Sequence, residues 1–129
     1  SIDRLDIAQR LNNQRPEALP PLNICIEINC DKETNKGGIA LENCFELARQ
    51  LQQFPRLKLR GLMAIPKPRD HFSEQVKIFS QIAAAYDKLK QQGFNLDTLS
   101  MGMSDDFEAA IAAGATLVRI GTAIFGQRQ

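Results

Sequence analysis

A parallel α/β sheet is the fold class this sequence predicts, and three observations predict it. Apolar residues recur with a period of two in short runs and at helical spacing in longer ones; the two kinds of segment alternate; and only a few residues connect them. The predicted order is a helix, three strand and helix pairs, and a last strand. Four strands in 129 residues are half of a (β/α)₈ barrel, which takes about 250 residues. The competing layout is a small open sheet of the flavodoxin type, and periodicity does not separate the two.

Each element follows from its own pattern. The opening SIDRL reads as the entry to a helix, and LNNQRPEALPPL carries turn residues. Leu22, Ile24, Ile26 and Ile28 place every second residue on one apolar face, with Cys25, Glu27 and Asn29 on the other. Leu41, Phe45, Ala48 and Leu51 recur at helical spacing and predict the stripe of a helix of about three turns. Leu57 to Met63 predicts a second strand, stopped by the breakers of AIPKP. Asp70 can cap a long helix whose buried stripe is Phe72, Val76, Phe79, Ala83 and Tyr86, with Gly93 ending it. Thr98 to Met101 predicts a third strand. Ser104 can cap a short helix closed by Gly114, and Thr116 to Ile120 predicts the fourth strand.

Composition narrows the function classes. Sixteen Lys and Arg against fifteen Asp and Glu leave a net charge of +1, so composition gives no footprint for nucleic acid or an anionic membrane. No apolar run approaches the roughly 20 residues that cross a bilayer, and the first residues lack the apolar stretch of a signal peptide. Cys25, Cys30 and Cys44 are an odd number without a CxxC pair, which argues against a disulfide scaffold or a zinc site. The expectation is a cytoplasmic protein without a metal, nucleic acid or membrane partner. A start at Ser1, in a helix entry, suggests a piece of a longer protein, with residues 1–129 forming a single partial domain.

In parallel α/β folds the ligand sits beyond the carboxyl ends of the strands. Two predicted loops there suit an anion. In GMSDD, Gly102 lets backbone approach closely, Ser104 offers a hydroxyl, and a helix start follows. In RIGTAIFG, Gly121 and Thr122 offer amides and a hydroxyl, with Arg119 one step inside the strand. Ser104, Asp105 and Asp106 also suit plain helix capping, and the two carboxylates repel a phosphate unless they turn away. Other candidates have simpler readings. His71 reads as a surface or capping residue, Lys36 of NKGG as a solvated loop lysine, Cys30 as a passive thiol and Tyr86 as core packing. Glu27, on the face opposite the isoleucines, calls for a partner such as Arg60 or Arg119.

Five motifs occur in order: SIDRL, GLMAIP at Gly61 to Pro66, LSMGMSDD at Leu99 to Asp106, EAAIAAG at Glu108 to Gly114, and VRIGTAIFG at Val118 to Gly126. Together they resemble the pyridoxal phosphate homeostasis proteins, also called YggS-type or proline synthetase co-transcribed proteins, over the carboxyl-terminal half of that family. The resemblance implies a (β/α)₈ barrel like that of alanine racemase. It also implies binding of pyridoxal 5′-phosphate for cofactor buffering and amino-acid and keto-acid balance, without catalytic turnover. The family's Schiff-base lysine lies in a stretch resembling VSKTKP, which this sequence lacks. The resemblance therefore assigns this chain the phosphate and ring side of the site: Ser104, Gly121 and Thr122 on the phosphate, Arg119 near the pyridine nitrogen and Met63 against the ring. No catalytic residue is assigned. An amino-acid racemase of the same barrel type and a half-barrel for another phosphorylated metabolite are the alternative functions. An isolated half-barrel is also expected to self-associate or to pair with its missing half.

Overall fold

The computed structural model describes residues 1–34 and 36–121. Its elements run α1 (Leu5–Gln14), β1 (Leu22–Ile28), a short 3₁₀ turn (Leu41–Asn43) leading into α2 (Cys44–Leu51), β2 (Leu57–Ala64), α3 (Phe72–Gln91), β3 (Thr98–Met103), α4 (Phe107–Ala113) and β4 (Leu117–Arg119). All neighbouring strand pairs are parallel, and the sheet order is β1-β2-β3-β4. A flavodoxin-type sheet reverses direction at a switch point, whereas here every crossover steps to the next neighbour. That is the wall of a (β/α)₈ barrel in part.

Parity along the strands sets the two faces. Ile24, Ile26 and Ile28 of β1, Leu62 and Ala64 of β2, and Leu99 and Met101 of β3 are buried with the helical stripes in one core. Glu27, Met63 and Ser100 lie in register on the other face, with Cys25 one step behind them opposite Gly61. Gly61 faces Thr98 of β3 at close quarters: a Cβ there would fall 1.5 Å from the Thr98 carbonyl oxygen.

Several boundaries and stripes differ from expectation. The α2 stripe is Cys44, Leu47, Ala48 and Leu51, while Phe45 is 41% exposed and meets Phe94 edge to face at 5.9 Å. In α3 the buried stripe is Ile78, Phe79, Ile82, Tyr86 and Leu89, and Phe72 stands exposed in its first turn. Asp70 is not its cap; His71 holds that position with extended backbone and no side-chain capping bond. Gly93 follows the helix with φ +103°, as expected of a glycine terminator. β3 runs two residues further than predicted, and β4 is shorter at both ends.

The sequence pattern also missed the outer edge of β1. Ile2 bridges it in parallel, its amide donating to the Cys25 carbonyl and its carbonyl accepting the Glu27 amide, both at 2.8 Å. Ile39 does the same one step further on, between Glu27 and Asn29. Among the described residues no helix is long and apolar enough to cross a membrane.

Gly61→Ala forces a methyl group onto a carbonyl in the middle of the sheet. We expect it to lower unfolding free energy by at least about 3 kcal/mol or to abolish folding, as read by urea titration followed by circular dichroism.

Candidate functional site

On the face turned away from the helices, a cavity of about 290 Å³ is lined by Asn23, Cys25, Arg60, Met63, Thr98 and Ser100, among others. Beside this cavity Arg60 closes a polar network with Asp97. Its Nε donates to Asp97 Oδ1 at 2.7 Å, its Nη2 pairs with Oδ2, and the Thr98 hydroxyl donates to Oδ1 at 2.9 Å. The Arg60 guanidinium and the Thr98 hydroxyl hold the Asp97 carboxyl down to about 2. Arg60 is therefore committed to Asp97 and not to Glu27, as the sequence had suggested. The Glu27 carboxylate instead lies over the glycine loop, where a Cβ on Gly37 would meet Glu27 Oε2 at 3.2 Å and Asp3 Oδ2 at 3.1 Å. Asp3 accepts the Gly38 amide there at 2.8 Å.

At the carboxyl ends of the strands, Arg119 reaches from β4 across β3 to β2. Its Nη2 donates to the Ala64 carbonyl at 2.9 Å and its Nη1 lies 3.6 Å from the Met63 sulfur. Its Nε is buried, with no hydrogen-bond partner among the described residues. Burial pulls the guanidinium downward from its ordinary value, while the Asp106 and Glu27 charges act against that shift. Two of the predicted residues, Met63 and Arg119, are thus brought into contact from positions 56 apart.

Two more of the predicted residues, Ser104 and Gly121, fall on the same rim. Met103 pairs in register with Arg119, so Ser104 and Gly121 stand just beyond adjacent strand ends. Ser104 is half-buried in a turn, and Gly121 is exposed; Thr122 lies outside the described residues. Ser104 is not the helix cap. Asp106 occupies that position, and its Oδ1 turns back to accept the Met103 amide at 2.8 Å, which removes one of the amides the loop was expected to offer an anion. Gly102, with φ +103°, serves packing: a Cβ there would lie 2.7 Å from Ala110 Cβ and 3.2 Å from Val118 Cγ1.

The loops after β1 and β2 carry a cluster that sequence spacing did not reveal. Asp31 accepts Arg69 Nη2 on Oδ1 and the Lys67 amide on Oδ2, both at 2.6 Å. Burial raises the Asp31 carboxyl, but the Arg69 and Lys67 bonds outweigh it and leave the group below its ordinary range. Lys36 pairs with Glu33 at 3.2 Å, so the lysine read as solvated has an ionic partner. His71 is exposed, 3.8 Å from Glu74. Among the described residues no group of three His, Cys, Asp or Glu side chains is placed to hold a metal.

Comparison with known proteins places these features in a family. The profile described as "Alanine racemase, N-terminal domain" matches residues 1–129. The pyridoxal phosphate homeostasis protein of Escherichia coli (strain K12) is 57% identical over 128 residues, which is 99% of this chain and 55% of the relative. Its counterpart in Pseudomonas aeruginosa is 53% identical, over 99% of this chain and 54% of its own length. The chain thus spans about half the length of the curated relatives it matches. Among solved structures, PipY of Synechococcus elongatus with PLP bound superposes with a TM-score of 0.84 at 32% identity, covering 98% of this chain and 59% of that one.

One site-adjacent thiol has a checkable state. Burial, and then the neighbouring Asp31 charge, push Cys30 up to about 11 from 9.0, so the thiolate that reacts with alkylating agents is scarce at neutral pH. Iodoacetamide labelling of Cys30, followed by mass spectrometry, is expected to lag in the folded chain at pH 8 relative to urea-unfolded chain. The gap should close as pH approaches 11.

Proposed function

The chain belongs to the alanine racemase N-terminal domain family, and on that premise we propose that it supplies the phosphate and ring side of a pyridoxal 5′-phosphate site that holds and buffers the cofactor. In this reading residues 1–129 are the second half of a (β/α)₈ barrel, and the lysine that attaches the cofactor belongs to the other half. The observation that carries the proposal is the Nε of Arg119, buried and without a hydrogen-bond partner among the described residues. A buried donor left unpaired is costly, and an acceptor atom at the edge of a heteroaromatic ring satisfies it.

When bound, pyridoxal phosphate supplies an electrophilic aldehyde on an electron-withdrawing pyridine ring. Arg119 can only donate, because a guanidinium keeps its protons. Placed at the pyridine nitrogen, it keeps that nitrogen unprotonated and the ring a weaker electron sink. Met63 offers a polarizable surface for the ring face, and its sulfur also holds Arg119. Ser104 and Gly121, beyond the ends of β3 and β4, receive the phosphate, and the family resemblance adds Thr122, which lies outside the described residues. The Asp106 side chain is drawn onto the Met103 amide.

A role in holding rather than turnover draws support from where the reactive groups lie. Tyr86 is buried in the core under the sheet, and the Cys30 thiol is held protonated. The names of the curated relatives and the cofactor in PipY point the same way. A racemase needs an acid or base on each face of the cofactor, and a site for another phosphorylated metabolite needs no ring contact, so both rivals make different demands on Arg119.

Binding by the chain alone is expected to be reversible and on the order of millimolar or weaker, with sulfate competing for the phosphate position. Arg119→Gln removes one charged hydrogen bond, about 1.5–3 kcal/mol, and should weaken pyridoxal phosphate by tenfold or more in an NMR titration while circular dichroism stays unchanged. Equal affinity in that variant would leave the anion loops as the whole site and favour another phosphorylated ligand.

The open inner face and the three-residue β4, with Leu117 exposed, expose a sheet edge that favours pairing. Sedimentation is expected to show a dimer or larger species, or a complex with the other half of a barrel supplied in trans; a monomer at high concentration would count against the half-barrel reading.

A further inference from the structure

The loop after β1 is stapled on itself. Asn29 accepts the Glu33 amide on Oδ1 at 3.0 Å and donates from Nδ2 to the Glu33 carbonyl at 2.6 Å. Within this turn Asp31, its side chain only 9% exposed, faces the segment after β2. Pro66 and Pro68 have no N–H, so Lys67 carries the one backbone donor among residues 66–68. Asp31 takes it.

The segment Asp31 grips is stiff. The prolines fix their own φ and press Ile65 and Lys67 into extended conformations. Its far end is tied as well: Arg69 pairs with Asp31, donates from Nη1 to the Lys67 carbonyl at 3.0 Å, and accepts Gln75 Nε2 on its own carbonyl at 2.7 Å. Its near end is Ala64, whose carbonyl holds Arg119. Only Ile65 and Pro66, both with little torsional freedom, therefore separate the Lys67 amide held by Asp31 from the Ala64 carbonyl that holds Arg119.

We propose that Asp31 is a positioning residue for the ligand site: by clasping residues 66–69 it sets where the Ala64 carbonyl and the Met63 sulfur hold Arg119. The inference rests on Arg119 being the ligand-facing donor, and it adds that the donor's place is set from the neighbouring rim loop. An ion pair that merely adds stability would leave the arginine where it is. A clasp moves it.

The test compares Asp31→Asn, which keeps one acceptor, with Asp31→Ala, which keeps none. Glu46→Gln is the control, since it makes the same charge change in an exposed pair with Arg49 on α2. Three quantities are read on the 129-residue chain: the NMR signal of the Arg119 Nε–H without ligand, amide exchange at Ala64, Ile65 and Lys67, and pyridoxal phosphate affinity. The expected result is a displaced Nε–H signal, faster exchange and affinity reduced about three- to tenfold, larger for Ala than for Asn and absent in the control. An Nε–H signal and affinity unchanged by either variant, while Arg119→Gln weakens binding, would overturn the clasp. Should the unmodified chain not bind pyridoxal phosphate, the ligand reading falls. The Nε–H signal still decides the clasp, by moving or staying. Should Asp31→Ala fail to fold, Asp31→Asn carries the comparison alone.

Discussion

Ile26, Leu62, Leu99 and Met101 lie almost wholly out of water beneath the helices, and each such side chain contributes about 1.5–3 kcal/mol by burial. Successive residues of a strand point to opposite faces, so covering this set commits Cys25, Glu27, Met63 and Ser100 to the other face. A slip of one residue would exchange the two sets and place Glu27 in the core. The polar character of the inner face is thus tied to what the helices cover. Gly61 adds a second condition: only a residue without a side chain lets β2 and β3 come close enough for that register.

The charges on the rim are arranged unequally. Asp31 with Arg69 and Glu33 with Lys36 neutralise one another at short range. Arg119 is held by a carbonyl and a sulfur, both neutral, with the Glu27 and Asp106 carboxylates acting on it through space. Loss of hydration is then offset only in part, which leaves the guanidinium with a donor to spare and a charge to share. Such a group favours a ligand that brings an acceptor and negative charge together.

Strand periodicity made most of the fold readable, because period two survives in Leu22, Ile24, Ile26 and Ile28 whatever packs on them. Helix stripes were less secure. Phe45 and Cys44 are neighbours in sequence, and a rotation of one position decides which is buried; the larger residue was the wrong choice because Phe94 receives it at the surface. The run Ser104, Asp105, Asp106 offers three good caps, and only the turn geometry selects the last. Long-range ion-pair partners were not readable, since Arg60 with Asp97 and Asp31 with Arg69 are joined across 37 and 38 positions. Spacing alone also gave no reason to bring Met63 to Arg119; family resemblance assigned both to one ligand site, and the structure puts the two side chains in contact.

The sequential strand order bears on how the chain acquires its shape. Each strand pairs with the one before it, across connections that contain a single helix, so the entropy of loop closure stays modest at every step. Among the four described strands, each after β1 finds its partner in the strand made just before it. At synthesis rates of roughly 5–20 residues per second, β2 follows β1 out of the ribosome within seconds, and α2 emerges between them ready to cover both. Growth can then proceed by accretion, one strand and helix at a time. The outer edge of β1 is sealed early too, by Ile2, made before it, and Ile39, made a few residues after it. Exposed edge lifetime on the nascent chain is thereby concentrated on the most recently added strand.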